Sequence, residues 1–230
     1  MDAKRYYIIG DVHGYYDKLM RLAGKLPENA NLVFVGDLID RGPDSSKVTA
    51  FVRENGHLCV RGNHEAFMIA QRPVPGRAWE KDYAYYLWME NGGDATLASY
   101  GLHDYAALRR EGNSPLLEPF FRDIAWMESL PYYVELEGCE VNGRKVVVSH
   151  SGVSQIWDGR RTDEKRFNAL VTVNRDRPVP VEGIFNVFGH TPFRTPKLYD
   201  YAARIDTGPY LYGTLTALEV PSLRIINSEA

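Results

Sequence analysis

Tyr6-Tyr7-Ile8-Ile9-Gly10-Asp11-Val12-His13-Gly14 is the stretch on which the fold turns. Four apolar, β-forming residues run without a polar interruption, as in a strand covered on both faces, and stop at a glycine followed by a carboxylate and an imidazole two residues apart. The same grammar returns along the chain. Asn31 to Val35 leads into Gly36-Asp37-Leu38-Ile39-Asp40-Arg41-Gly42, and His57 to Val60 into Arg61-Gly62-Asn63-His64-Glu65. Lys145 to Val148 leads into Ser149-His150-Ser151-Gly152, and Ile184 to Phe188 into Gly189-His190-Thr191. Side chains at the carboxyl ends of strands in an α/β sheet converge on one rim, so these five segments are expected to meet.

Outward from them, Ala203 to Ile205, Leu215 to Val220 and Leu223 to Ile226 complete eight candidate strands, enough for one large sheet or two. Helical periodicity covers Tyr16 to Gly24 and Ser45 to Asn55, the second capped by Asp44 or Ser45 and ended by Gly56. Strand, helix, strand, helix, strand is the opening of an α/β fold. Residues 67 to about 130 depart from that rhythm. Helices are expected there at Trp79 to Asn91, Ala95 to Ser99 and Leu116 to Ser129, with Trp79, Tyr83 and Tyr86 on one face read as core. This is a helical excursion between strands, and 1–230 reads as a single domain.

Composition excludes other classes. The chain of 230 residues has 27 Lys+Arg against 30 Asp+Glu, a net charge of −3, so neither a polybasic nucleic-acid binder nor a disordered chain is expected. Cys59 and Cys139 form no metal-finger spacing and begin no Cys-x5-Arg loop, because Glu65 and Lys145 stand where that Arg would fall. They read as buried thiols. No signal-peptide core or run of about 18 apolar residues occurs. The expectation is a cytoplasmic protein, monomeric or weakly self-associating, with no membrane or nucleic-acid partner.

The chemistry follows from residue types. Asp11 and His13 can reach one metal ion, Asp37 can bridge to a second through its two oxygens, and Asn63, His150 and His190 can complete the second site. Carboxylate, imidazole and amide without thiolate suit two divalent ions, manganese first, with iron, zinc or nickel as alternatives. Two such ions exceed the charge of the two aspartates and leave room for an anion. Arg41, Arg61 and Arg175 offer planar forks that match phosphate oxygens. His64, beside the better ligand Asn63, is free to give a proton to a leaving oxygen, with Asp40 holding its other ring nitrogen. The expected reaction is in-line attack by a metal-bridging hydroxide with His64 as general acid.

These segments, in this order, resemble the motifs of the phosphoprotein phosphatase branch of the calcineurin-like metallophosphoesterases, and the compact bacterial and phage members above all. Trp88 with Asn91-Gly92-Gly93, Gly189-His190-Thr191-Pro192 and Ile205-Asp206-Thr207-Gly208 add to the likeness. Ser151 departs from the usual His-Gly-Gly, and the Ser-Ala-Pro-Asn-Tyr-Cys segment of the eukaryotic enzymes is absent. The resemblance implies a β-sandwich of two mixed sheets flanked by helices, with a dinuclear site at the sheet edge. It also implies a phosphoesterase acting on phosphoserine and phosphothreonine proteins or small phosphoesters. Symmetrical hydrolysis of diadenosine tetraphosphate is the alternative activity, and an inactive phosphate-binding module the alternative outside enzymes. Arg77 and Lys81, interleaved with Glu80 and Asp82, and the pair Arg109-Arg110 suggest no dedicated polyphosphate channel.

Overall fold

The computed structural model describes residues 4–72, 83–107 and 114–229. Among these, ten strands form two five-stranded mixed sheets. The first contains β1 (Tyr6–Ile9), β2 (Leu32–Phe34), β3 (Leu58–Cys59), β9 (Thr216–Val220) and β10 (Arg224–Asn227), in the order β10-β9-β1-β2-β3. The second contains β4 (Tyr133–Val141), β5 (Arg144–Ser149), β6 (Ile184–Phe188), β7 (Lys197–Tyr199) and β8 (Ala202–Arg204), in the order β4-β5-β6-β8-β7. β1, β2 and β3 run parallel, as do β5, β6 and β8, so their carboxyl ends point the same way within each sheet.

The unbroken apolar run of β1 is explained by burial on both faces. Tyr6 and Ile8 join Val33, Val146, Val148, Phe185, Val187 and Leu218 in the layer between the sheets. Tyr7 and Ile9 face the other way, into a cluster with Leu19, Leu22, Val48, Val52, Phe120 and Ile124. That cluster is supplied by α1 (Tyr16–Ala23), α2 (Ser45–Glu54) and the helix Glu118–Glu128. A third cluster, Val147 and Ile184 with Trp157, Phe167 and Val171, covers the outer face of the second sheet. Both cysteines are free and buried.

Several sequence expectations are corrected. β4 was not anticipated: Tyr133-Val-Glu-Leu-Glu-Gly-Cys-Glu-Val141 has three glutamates, and its register slips between Glu135 and Glu140, so no period of two survives along it. The short edge strand β7 and the helices α3 (Asn63–Ile69) and Glu164–Leu170 were also missed. Neither proposed cap of α2 acts as one. Asp44 makes no capping bond and pairs with Lys47 at 2.7 Å, while Ser45 Oγ accepts the Asp40 N–H at 3.0 Å.

In the excursion, α4 (Tyr83–Glu90), α5 (Gly93–Ser99) and α6 (Glu118–Glu128) are present. The aromatic face is not the expected one. Tyr83 is 76% and Tyr86 55% exposed, and the buried ring of α4 is Trp88. Trp79, Arg77, Glu80, Lys81, Asp82, Arg109 and Arg110 lie outside the described residues.

Candidate dinuclear metal centre

The loops that leave β1, β2, β3, β5 and β6 meet at one rim, and backbone geometry there is unusual. His13, Asp37, Asp40, Arg41 and His190 all take positive φ, between 48° and 71°, a region that costs non-glycine residues free energy and persists where the surroundings enforce it. Two glycines make the approach possible: a β-carbon at Gly189 would overlap Oδ1 of Asp11, and one at Gly62 would overlap Oδ1 of Asp37. Glu65, to which the sequence reading gave no role, ties the loops together. Its buried carboxylate accepts the N–H groups of Asp37 (2.9 Å), Leu38 (2.8 Å) and Gly62 (2.8 Å). The signal available was its place three residues after the N-cap of α3, where a Glu reaches back to the backbone.

Two buried clusters result, His13 with Asp37 and His64, and Asp37 with His150 and His190. Asp37 belongs to both, and its Oδ2 lies 3.4 Å from His150 Nε2, 3.8 Å from His13 Nε2 and 3.9 Å from His64 Nε2. The ring tautomers follow from their partners. His13 Nδ1 faces Ile39 O at 2.9 Å and His150 Nδ1 faces Val35 O at 2.8 Å. A carbonyl can only accept, so each Nδ1 carries the proton and each Nε2 presents a lone pair inward.

For His150 that lone pair meets Asn63 Oδ1 at 3.0 Å and the Asp37 carboxylate at 3.4 Å. Neither oxygen carries a proton, and His190 Nδ1, 3.1 Å from His150 Nε2, is the one neighbour able to donate to it, so the oxygens repel the lone pair unless a cation lies between. His190 Nε2, buried without a hydrogen-bond partner, adds an orphaned donor atom. This donor set of imidazole, carboxylate and amide fits a divalent transition-metal ion.

The charges are distributed accordingly. Burial alone would raise Asp37, but His150, His64, His13 and His190 together hold it below the usual carboxylate range. Burial pushes Asp11 well up, helped by Asp206 and Asp37, and raises Asp206 to about 7. Burial lowers His13 and His150, and lowers His190 to about 3, so all three are neutral and competent to ligate. His64 differs. Burial pulls it down, but Asp37 and Asp40 outweigh burial and raise it.

The sequence-derived residues are placed as follows. His13, Asp37, Asn63, His150 and His190 come together. Asp11 adjoins them but belongs to neither cluster, and its carboxylate accepts the His190 N–H at 3.1 and 3.3 Å. Asp40 Oδ2 accepts from His64 Nδ1 at 2.6 Å, while its Oδ1 accepts from Trp88 Nε1 (2.9 Å) and the Thr96 hydroxyl (2.7 Å). The excursion therefore grips the carboxylate that orients His64, a link that single-residue reasoning did not reach. Arg41 donates to His13 Nε2 (2.8 Å) and His64 Nε2 (3.1 Å) and stacks 3.9 Å from the Tyr210 ring centroid, a residue the sequence reading passed over. Arg175 is exposed, and its charge acts on His150, His190 and Asp206. Arg61 is placed otherwise than expected, its guanidinium donating to the carbonyls of Glu128 and Leu130 and to the Tyr132 hydroxyl.

A two-sheet sandwich whose parallel strands end in buried histidine and aspartate clusters defines a metal-dependent phosphoesterase. The model of the family described as calcineurin-like phosphoesterase matches residues 4–213, and the chain belongs to that family. It is 31% identical to the bis(5'-nucleosyl)-tetraphosphatase PrpE [asymmetrical] of Bacillus cereus strain B4264, over 97% of this chain and 93% of the relative. Its namesake from Bacillus thuringiensis strain Al Hakam is 30% identical over the same shares. Among solved structures, a protein provisionally assigned as a diadenosine tetraphosphatase superposes with TM-score 0.63 at 20% identity, covering 98% of this chain and 93% of the other. A protein serine/threonine phosphatase from Saccharomyces cerevisiae superposes with TM-score 0.54 at 15% identity, covering 97% and 78%. Among the described residues no helix is long and apolar enough to cross a membrane.

Proposed function

We propose that this phosphoesterase hydrolyses dinucleoside tetraphosphates asymmetrically, into two unequal nucleotides. The observation that carries this is the full-length likeness to bacillar proteins bearing that name, at up to 31% identity with the chain covered almost end to end. The protein phosphatase activity that the motifs suggested becomes the second reading, because the likeness to solved serine/threonine phosphatases is one of fold. The alternative activity implied by the motif resemblance was symmetrical cleavage of the dinucleotide, and the name borne by the bacillar relatives supports unequal cleavage instead.

Asp11, His13, Asp37, Asn63, His150 and His190 would hold two divalent ions, manganese first. When bound, these ions supply Lewis-acid activation of water and neutralise phosphate charge. The chain does the rest. Arg41 and Arg175 bind phosphate oxygens, Arg41 by leaving His13 Nε2 and His64 Nε2, and Arg61 joins them only by leaving the carbonyls of Glu128 and Leu130. Once Arg41 turns from His64 Nε2 to a phosphate oxygen, that nitrogen takes up the proton it gives to the leaving oxygen. Asp40 keeps that ring oriented through the 2.6 Å bond to Nδ1 and favours its protonated form. Tyr210 holds the Arg41 guanidinium against one face and limits its swing.

The test is a comparison of specificity constants on diadenosine tetraphosphate, a phosphothreonine peptide and p-nitrophenyl phosphate with manganese present, with the nucleotide products separated. The dinucleotide should be preferred and should yield AMP and ATP. Preference for the phosphopeptide, or two molecules of ADP, would overturn the reading.

A further inference from the structure

Arg204 is the last residue of β8 and pairs in register with Phe188, two residues before His190. It therefore stands at the same rim as the metal clusters. It is 9% exposed, its Nε is buried with no hydrogen-bond partner, and among the described residues no carboxylate forms an ion pair with it. Its surroundings are aromatic: the guanidinium carbon lies 4.5 Å from the Phe193 ring centroid and 5.6 Å from that of Phe188. Ring faces attract a cation, but they do not replace the acceptors that its five N–H donors require. A buried Nε–H left this way is costly unless an anion completes the site.

Two more cations share the segment. Lys197 Nζ lies 5.9 Å from the Phe193 centroid, and the Arg194 guanidinium lies 5.1 Å from the ring centroid of Tyr212. Both are exposed, and neither makes an ion pair among the described residues. The loop that carries them is fixed to the site by Phe193 N–H donating to Asp206 O at 3.1 Å. A chain of net charge −3 thus gathers three uncompensated cations in and beside the loop that follows His190.

We propose that Arg204, with Arg194 and Lys197, forms a second anion subsite, which holds the phosphates next to the one being cleaved in a polyphosphate substrate. The inference rests on the dinucleotide reading and extends it to the residues that select chain length. A monoester ends at its single phosphate and leaves the subsite empty, whereas a polyphosphate continues into it. The basic residues weighed for this role in the sequence were Arg77, Lys81 and Arg109-Arg110, and they suggested no polyphosphate channel. The strand register of the second sheet brings a different set to the rim.

The test uses the manganese-loaded enzyme and two variants, Arg204→Met and the exposed double change Arg194→Ser with Lys197→Ser, which keeps the idea testable should the buried variant not fold. Inorganic tripolyphosphate is used as an inhibitor of p-nitrophenyl phosphate hydrolysis at a fixed free manganese concentration. Its inhibition constant should rise about tenfold or more in each variant, while that of orthophosphate moves by less than about twofold. The KM for diadenosine tetraphosphate should rise in parallel, with p-nitrophenyl phosphate turnover staying within about threefold. An unchanged tripolyphosphate constant in both variants, or equal losses on monoester and polyphosphate, would overturn the subsite. If the wild-type enzyme does not cleave the dinucleotide and tripolyphosphate still behaves as expected, the subsite stands and only the substrate named above is wrong.

Discussion

The two sheets contribute opposite kinds of rim. On the first sheet most functional side chains are already held, His13 by Ile39 O, His64 by Asp40, Asp40 by Trp88 and Thr96, and the Asp37 loop by Glu65, with Arg61 Nε the one buried site atom left without a hydrogen-bond partner among the described residues. On the second sheet polar atoms are left over. His190 Nε2 and Arg204 Nε are buried without partners, and Arg175 reaches the site only through its field. A buried polar atom without a partner costs about 1 to 3 kcal/mol, so the second rim is built around something that arrives, and the first around something that must not move.

That contrast breaks most visibly on metal. Exhaustive chelation should abolish turnover, and manganese should restore it better than magnesium, whose octahedral oxygen preference suits imidazoles poorly. Full activity in metal-free protein would remove the basis of both rims. Next in size, His64→Asn should retain two ions per chain by metal analysis while kcat falls by about 10²- to 10⁴-fold, most on substrates with poor leaving groups. Distance alone would let His64 ligate, since it clusters with His13 and Asp37, so a variant that binds one ion fewer would move His64 from proton donor to ligand.

A smaller effect probes the first rim through a residue remote from substrate. Trp88→Phe keeps an aromatic ring but removes the 2.9 Å hydrogen bond to Asp40 and part of a fully buried side chain, so kcat should drop by about tenfold and stability by about 2 kcal/mol. A loss that is equal for good and poor leaving groups would make Trp88 a packing residue only.

The smallest effect concerns Asp206, whose folded-state carboxyl is raised to about 7 by burial. A group raised in this way favours the folded protein below its unfolded pKa, about 3.9, and that contribution fades as pH climbs through about 7. Asp206→Asn keeps an oxygen for the Gly208 N–H and mimics the protonated form. In metal-free protein it should raise the melting temperature by a few degrees at pH 8 and leave it unchanged at pH 4. Equal melting shifts at both pH values would show that the carboxyl does not titrate between them.

How much of this was legible depended on whether the chemistry was local. The motif loops could be read because glycine, carboxylate and imidazole follow short apolar runs, and the chain has no other use for that combination at strand ends. β4 could not, because three glutamates and a bulge at Gly138, with φ at +66°, erase the alternation on which strand recognition depends. The aromatic stretch misled for a related reason. Tyr83 and Tyr86 satisfy a helical period, yet Trp88 is the ring that α4 buries.

The sequence by itself determined the α/β class, the helical excursion and the set of residues with ligand chemistry, because apolar periodicity and residue type are properties of neighbours along the chain. Only the tertiary structure decided which atoms face one another. The Trp88 to Asp40 bond spans 48 positions and the His190 to Asp11 contact 179, and in both cases the partner is chosen by which strands and helices lie adjacent. Arg204 is the clearest instance: in the sequence it is one basic residue in a short strand, and parallel pairing of β8 with β6 sets it at the rim beside Phe188. No spacing rule reaches that placement, since strand order in a sheet is settled by how whole faces pack and not by the residues on either side of the arginine.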